Sequence, residues 1–120
     1  MYKRQVGGYP GNDDDGKILQ KSLDQAKLKQ DFLNSADFLK NHELSTGKLG
    51  ATGFCWGGGT TNFLAVEMGS DLLAGVPFYG AAPGSASEVA KISAALIVQA
   101  AEDDKRINAC LLYTSPSPRD

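Results

Sequence analysis

One run constrains this chain more than any other: residues 50–60, G-A-T-G-F-C-W-G-G-G-T. Cys55 stands between Gly53 and Gly57, each two positions away, in the pattern glycine–x–nucleophile–x–glycine. The spacing has a steric origin. A nucleophile on a tight strand-to-helix turn needs neighbours without side chains two residues to either side, and glycine at both positions removes the obstacle. The lead-in is strand-like, and the residues that follow are small, then apolar, as in a helix packed on a sheet. The turn between them presents Cys55 at a helix N-terminus, where the partial positive charge of backbone N–H groups favours a thiolate. The glycines at 57–59 are not a phosphate loop, because the Lys-Ser/Thr pair of that motif is missing.

Hydrophobic periodicity orders the rest of the chain around this turn. Residues 6–17 (V-G-G-Y-P-G-N-D-D-D-G-K) carry turn chemistry and read as loop. Their run of Asp13, Asp14 and Asp15 lacks the spaced oxygens and closing glutamate of a calcium loop, so it reads as solvated. Ser22 with Gln25 fits a capping box, and Leu28, Phe32, Leu33, Ala36 and Leu39 recur at helical spacing up to about Asn41. Residues 48–54 predict a strand, 57–68 a helix capped by Gly69, 72–79 a buried strand, 87–92 a helical turn and 94–101 a second buried strand. The last strand runs into Glu102, Asp103 and Asp104. Alternating strands and helices specify an α/β fold with ligands outside the carboxyl ends of the strands, where Cys55 and the acidic cluster both fall.

A thiol nucleophile needs a base, a carboxylate to orient that base and an oxyanion hole. The backbone N–H of Trp56, the residue after the nucleophile, supplies one oxyanion donor in this pattern. A carboxylate two strands after Cys55 fits the order nucleophile, acid, histidine. The only histidine, His42, precedes them and reads as a surface residue just past a helix end. A net charge of −2 without a basic stripe excludes nucleic acid as a partner. No apolar run approaches a membrane span, no secretory signal pattern opens the chain, and no Cys/His spacing suits zinc. Two cysteines, Cys55 and Cys110, make a disulfide framework improbable and point to a reducing cytoplasm.

The two ends differ from the middle. Residues 110–120, C-L-L-Y-T-S-P-S-P-R-D, continue neither a helical nor a strand period and resemble a translated transposase sequencing adapter. Residues 1–5 resemble the same adapter read in the opposite orientation. The expectation is therefore a natural segment of residues 6–109, one partial domain of a longer parent. Setting aside residues 1–5 and 110–120 removes Lys3, Arg4, Arg119 and Asp120, which takes the net charge to −4, and removes Cys110, which leaves Cys55 as the only thiol.

Residues 7–14 (G-G-Y-P-G-N-D-D), 45–59 (S-T-G-K-L-G-A-T-G-F-C-W-G-G-G), 76–80 (V-P-F-Y-G) and 103–109 (D-D-K-R-I-N-A) resemble the dienelactone hydrolase (carboxymethylenebutenolidase) family. The resemblance implies an α/β-hydrolase fold, here incomplete, with only its central strands and helices. It implies a Cys-Asp-His triad, no metal and no organic cofactor. The reaction it implies is hydrolysis of an enol-lactone, 4-carboxymethylenebut-2-en-4-olide, to maleylacetate by a monomer acting on a small ester or lactone. Cys55 falls on the family nucleophile and Asp104 on the triad acid, with Asp103 the alternative by one position and Glu102 behind it. The triad histidine, the second oxyanion donor and the substrate-binding arginines lie outside residues 6–109, so negligible turnover and poor folding are expected of the chain alone. Two other readings stand beside this one. A glutamine-amidotransferase-like enzyme also uses G-x-C-x-G, but wants Leu-Gly-His after the cysteine. A hydrolase-like binding protein would need no chemistry at all.

Overall fold

The computed structural model describes residues 11–114, the last five of them by backbone alone. Residues 1–5, and most of the stretch read as adapter beyond Thr114, lie outside the described residues. The chain divides into two compact units within a helix, after Asn34.

In the first unit, helix α1 (Asp13–Lys21) replaces the loop expected there. The Asn12 side chain accepts from Asp15 N–H at 2.9 Å, and Asp13, Asp14 and Asp15 fill the first turn. An N-cap and three carboxylates at the positive end of the helix dipole outweigh the cost of Gly16. Ser22 is not the cap of the next helix; it ends α1, with its N–H on the Ile18 and Leu19 carbonyls. Helix α2 (Gln25–Asn41) is capped by Asp24, whose Oδ1 accepts from Ala26 and Lys27 N–H. Both are short polar residues, and the competition went to the one adjacent to the first turn.

The second unit is built on a three-stranded parallel sheet in the order β1 (Gly50–Phe54), β2 (Ala74–Phe78), β3 (Ala95–Leu96). Gly50 lies opposite Ala74 and Phe54 opposite Phe78. Helix α3 (Trp56–Met68) makes the crossover that two parallel strands require. It ends at Gly69, which has φ +52°. Helix α4 (Ala86–Val89), capped by Ser85, links β2 to β3. β3 is short, yet its backbone stays bonded to β2 through Ile97 N–H on Gly75 O and Gln99 N–H on Pro77 O. Helix α5 (Lys105–Thr114) follows. Contrary to the sequence reading, residues 110–114 continue a helix. Leu111 and Leu112 are good helix formers and propagate it readily.

Packing in this unit is one-sided. Thr61, Asn62, Ala65 and Val66 of α3 are buried, as are Gly75 and Pro77 of β2 and Leu72 just before it. Strand alternation sends Phe54 and Ile97 to the other face, where they stay 60% and 63% exposed. The expectation of strands buried on both faces is therefore corrected for the described residues: α3 covers one face only.

Candidate active site

Phe54 ends β1 and Trp56 begins α3, so Cys55 alone makes the junction. Its backbone has φ +55° and ψ −114°, a conformation that L-residues rarely adopt and that costs about 1–3 kcal/mol. Two hydrogen bonds hold it. Cys55 N–H donates to Phe78 O at the end of β2 (2.9 Å), and Cys55 O accepts from Gly59 N–H in the first turn of α3 (3.1 Å). The cysteine is exposed and unbridged.

The two flanking glycines play unequal parts. A Cβ on Gly53 would strike the backbone carbonyl of Gly57, which nothing flexible could relieve. A Cβ on Gly57 would meet nothing within 4 Å. The steric argument thus holds for Gly53 and fails for Gly57, whose backbone is the obstacle rather than the obstructed group. The next close approach is at Gly58, where a Cβ would lie 2.5 Å from Phe78 O and about 3 Å from Gly80. This contact seats the first turn of α3 on the end of β2.

Tyr79, directly after β2, also has positive φ (+37°), and its N–H donates to Gln99 O at 2.7 Å. Gln99 bridges Phe78, and Phe78 O receives Cys55 N–H. The carboxyl ends of all three paired segments are thereby tied side by side, and the acidic cluster begins three residues past Gln99. Asp104 is half-buried at the start of α5. Its Oδ1 accepts from Ile107 N–H at 3.1 Å, its N–H donates to Ala101 O at 3.1 Å, and its carbonyl accepts from Asn108 N–H at 2.9 Å. Its Oδ2 has no donor among the described residues. Asp103 and Glu102 are exposed, and neither carboxylate is engaged in that way. No hydrogen bond joins Cys55 to Asp104 among the described residues.

Trp56 is the first residue of α3 and is 60% exposed. His42 is engaged locally, accepting Leu44 N–H on Nδ1 (3.1 Å) and meeting the Phe38 ring edge-on at 5.5 Å. It precedes the amino end of β1, while Cys55 leaves the carboxyl end about 15 Å away along five residues of strand. Among the described residues no group of three or more His, Cys, Asp or Glu side chains could hold a metal ion. No helix among them is long and apolar enough to cross a membrane.

Sequence reasoning gave no role to Asn108, whose side chain donates to Ala101 O (2.6 Å) and Glu102 O (3.2 Å). The signal was present as an asparagine four residues after Asp104, one helical turn on.

The dienelactone hydrolase family model matches residues 1–113. Protein usf of Aquifex pyrophilus is 34% identical over 106 residues, covering 85% of this chain and 46% of that protein. The chain therefore spans about half the length of the curated relative it matches. The crystal structure of a dienelactone hydrolase-like promiscuous phosphotriesterase from metagenomic libraries superposes with a TM-score of 0.62 at 28% identity. That match covers 76% of this chain and 40% of the other.

Proposed function

This chain belongs to the dienelactone hydrolase family, and from that premise we propose that the full-length protein hydrolyses carboxylic ester or lactone bonds with Cys55 as nucleophile. The observation that carries the reading is the backbone of Cys55. A non-glycine residue at φ +55° between a strand and a helix is strained, and strain of this kind clusters at functional sites, where a strand-to-helix turn presents a nucleophile.

In this reading the Cys55 sulfur attacks the carbonyl carbon, and the S–C bond forms as the carbonyl π pair moves to oxygen. The backbone N–H of Trp56 donates to that oxyanion. Collapse of the intermediate breaks the C–O bond to the leaving alkoxide, an enolate if the substrate is a dienelactone, which takes up the proton that the Cys55 thiol gave to the triad histidine as its sulfur attacked. Water then adds to the thioester, a histidine of the full-length protein that is not in this sequence takes its proton, and the thiolate departs. Asp104 holds that histidine in the required tautomer by accepting its ring N–H. Helix capping by Oδ1 is compatible with this role, since Oδ2 remains for the imidazole.

The substrate class follows the family, with an enol-lactone of the dienelactone type as its most specific member. The family match sets aside the amidotransferase-like alternative. A second reading comes from the similar solved structure, whose name records promiscuous phosphotriesterase activity. A thiolate presented in this way can attack phosphorus in an aryl phosphate triester. The test measures hydrolysis of an aryl ester, an enol-lactone and an aryl phosphate triester by the full-length protein and its Cys55→Ala variant. The account expects ester or lactone turnover to fall by about a thousandfold or more. Unchanged turnover in the variant defeats the nucleophile assignment, and absence of turnover in the natural protein favours the binding-protein reading.

A further inference from the structure

The strand-to-helix turn at residues 101–104 is tied more heavily than a helix start requires. Asn108, one turn into α5, folds its carboxamide back over it. Its two Nδ2 hydrogens go to consecutive carbonyls, Ala101 O at 2.6 Å and Glu102 O at 3.2 Å. Ala101 O also accepts Asp104 N–H, and Asp104 O accepts the Asn108 backbone N–H. Beneath these bonds Ile107, only 7% exposed, anchors α5, and its N–H fixes Asp104 Oδ1. The Asn108 oxygen is meanwhile buried with no partner among the described residues. An unsatisfied buried acceptor is costly. The side chain is thus held here for its two donors, and both act on the residues leading into Asp104.

We infer that Asn108 is a positioning residue for the acid: its carboxamide clamps the Ala101 and Glu102 carbonyls so that Asp104 Oδ2 is held where an imidazole N–H can reach it. This rests on the reading of Asp104 as the acid that orients the histidine. Asn108 touches neither substrate nor the reacting atoms and acts only through the backbone that carries Asp104. Only a side chain with two N–H donors on one short stem satisfies adjacent carbonyls from this position; aspartate has the same shape and would repel them.

The test is a double-mutant cycle in the full-length protein, with kcat expressed per Cys55 thiol titrated and KM measured separately. Asp104→Asn keeps an oxygen to accept Ile107 N–H, so it preserves the helix cap while removing the carboxylate. Asn108→Asp is expected to lower kcat by about tenfold to a hundredfold with KM unchanged, the order found for a misplacement of about 1 Å. In the Asp104→Asn background it is expected to change kcat by less than about twofold, because residues acting as one unit are not additive. If Asn108→Asp fails to fold, Asn108→Ser retains one donor and should give an intermediate kcat. Equal fold losses in both backgrounds overturn the inference, as does an unchanged kcat per thiol with lowered melting temperature. Asp104→Asn at full activity defeats the acid assignment and this inference together. A damaged Asp104→Asn beside an intact Asn108→Asp defeats this inference alone.

Discussion

Cys55 owes its presentation to its backbone. The thiol reaches solvent because a strained residue joins β1 to α3 without an intervening loop. Phe78 O and Gly59 N–H hold that residue in place, and Gly53 gives the turn the space it needs. The two flanking glycines should therefore respond oppositely to alanine. Gly53→Ala drives a methyl into the Gly57 carbonyl and is expected to destabilise the full-length protein by about 3 kcal/mol or more, the upper range for overpacking. Gly57→Ala fills open space in a helical turn and should be neutral or stabilising by up to about 1 kcal/mol. Denaturant unfolding measures both, and equal losses would mean that the turn is crowded on both sides. A sequence cannot show this asymmetry. The pattern displays two equivalent glycines, and only the path of the backbone shows which one faces the other's carbonyl.

At the scale of elements, long-period features were legible and local competitions were not. The βαβ succession, the end of α2 near Asn41, the Gly69 cap and the placement of Cys55 at the end of β1 were legible, whereas the strand expected over 94–101 shrinks to Ala95–Leu96 and leaves Asp104 directly before α5 rather than at a strand end. The starts of α1 and α2 were not legible. Glycines, a proline and an Asn-Asp run give residues 6–17 the pattern of a loop, and Ser22 with Gln25 matches a capping box. In the fold Asp24 takes both first-turn N–H groups of α2. Asp24→Ala is expected to cost about 1 kcal/mol and to speed hydrogen exchange at the Ala26 and Lys27 amides. Ser22→Ala, which loses only a bond to Leu19 O, should leave those two amides unchanged. Faster exchange there in Ser22→Ala would restore the capping-box reading. The clamp made by Asn108 was equally hidden, since an asparagine in a first helical turn gives no sign of which carbonyls it reaches.

At the scale of the whole molecule, the α/β-hydrolase fold and the dienelactone hydrolase family agree with the arrangement of three parallel segments and their crossover helix. The face of the sheet opposite α3 keeps Phe54 stacked on Phe78, ring centroids 4.5 Å apart, with Phe54 mostly exposed. An apolar strand composition predicted two covered faces, and sequence could not say which element would supply the second cover. The central claim, that Cys55 forms the covalent intermediate, is tested most directly by rapid quench of the full-length protein with an aryl ester, followed by peptide mass mapping. The account predicts a transient mass increase equal to the acyl group on the peptide containing Cys55, at about one acyl group per active site. Sustained turnover with the acyl group on another residue, or with no covalent species and full activity in Cys55→Ala, would contradict it.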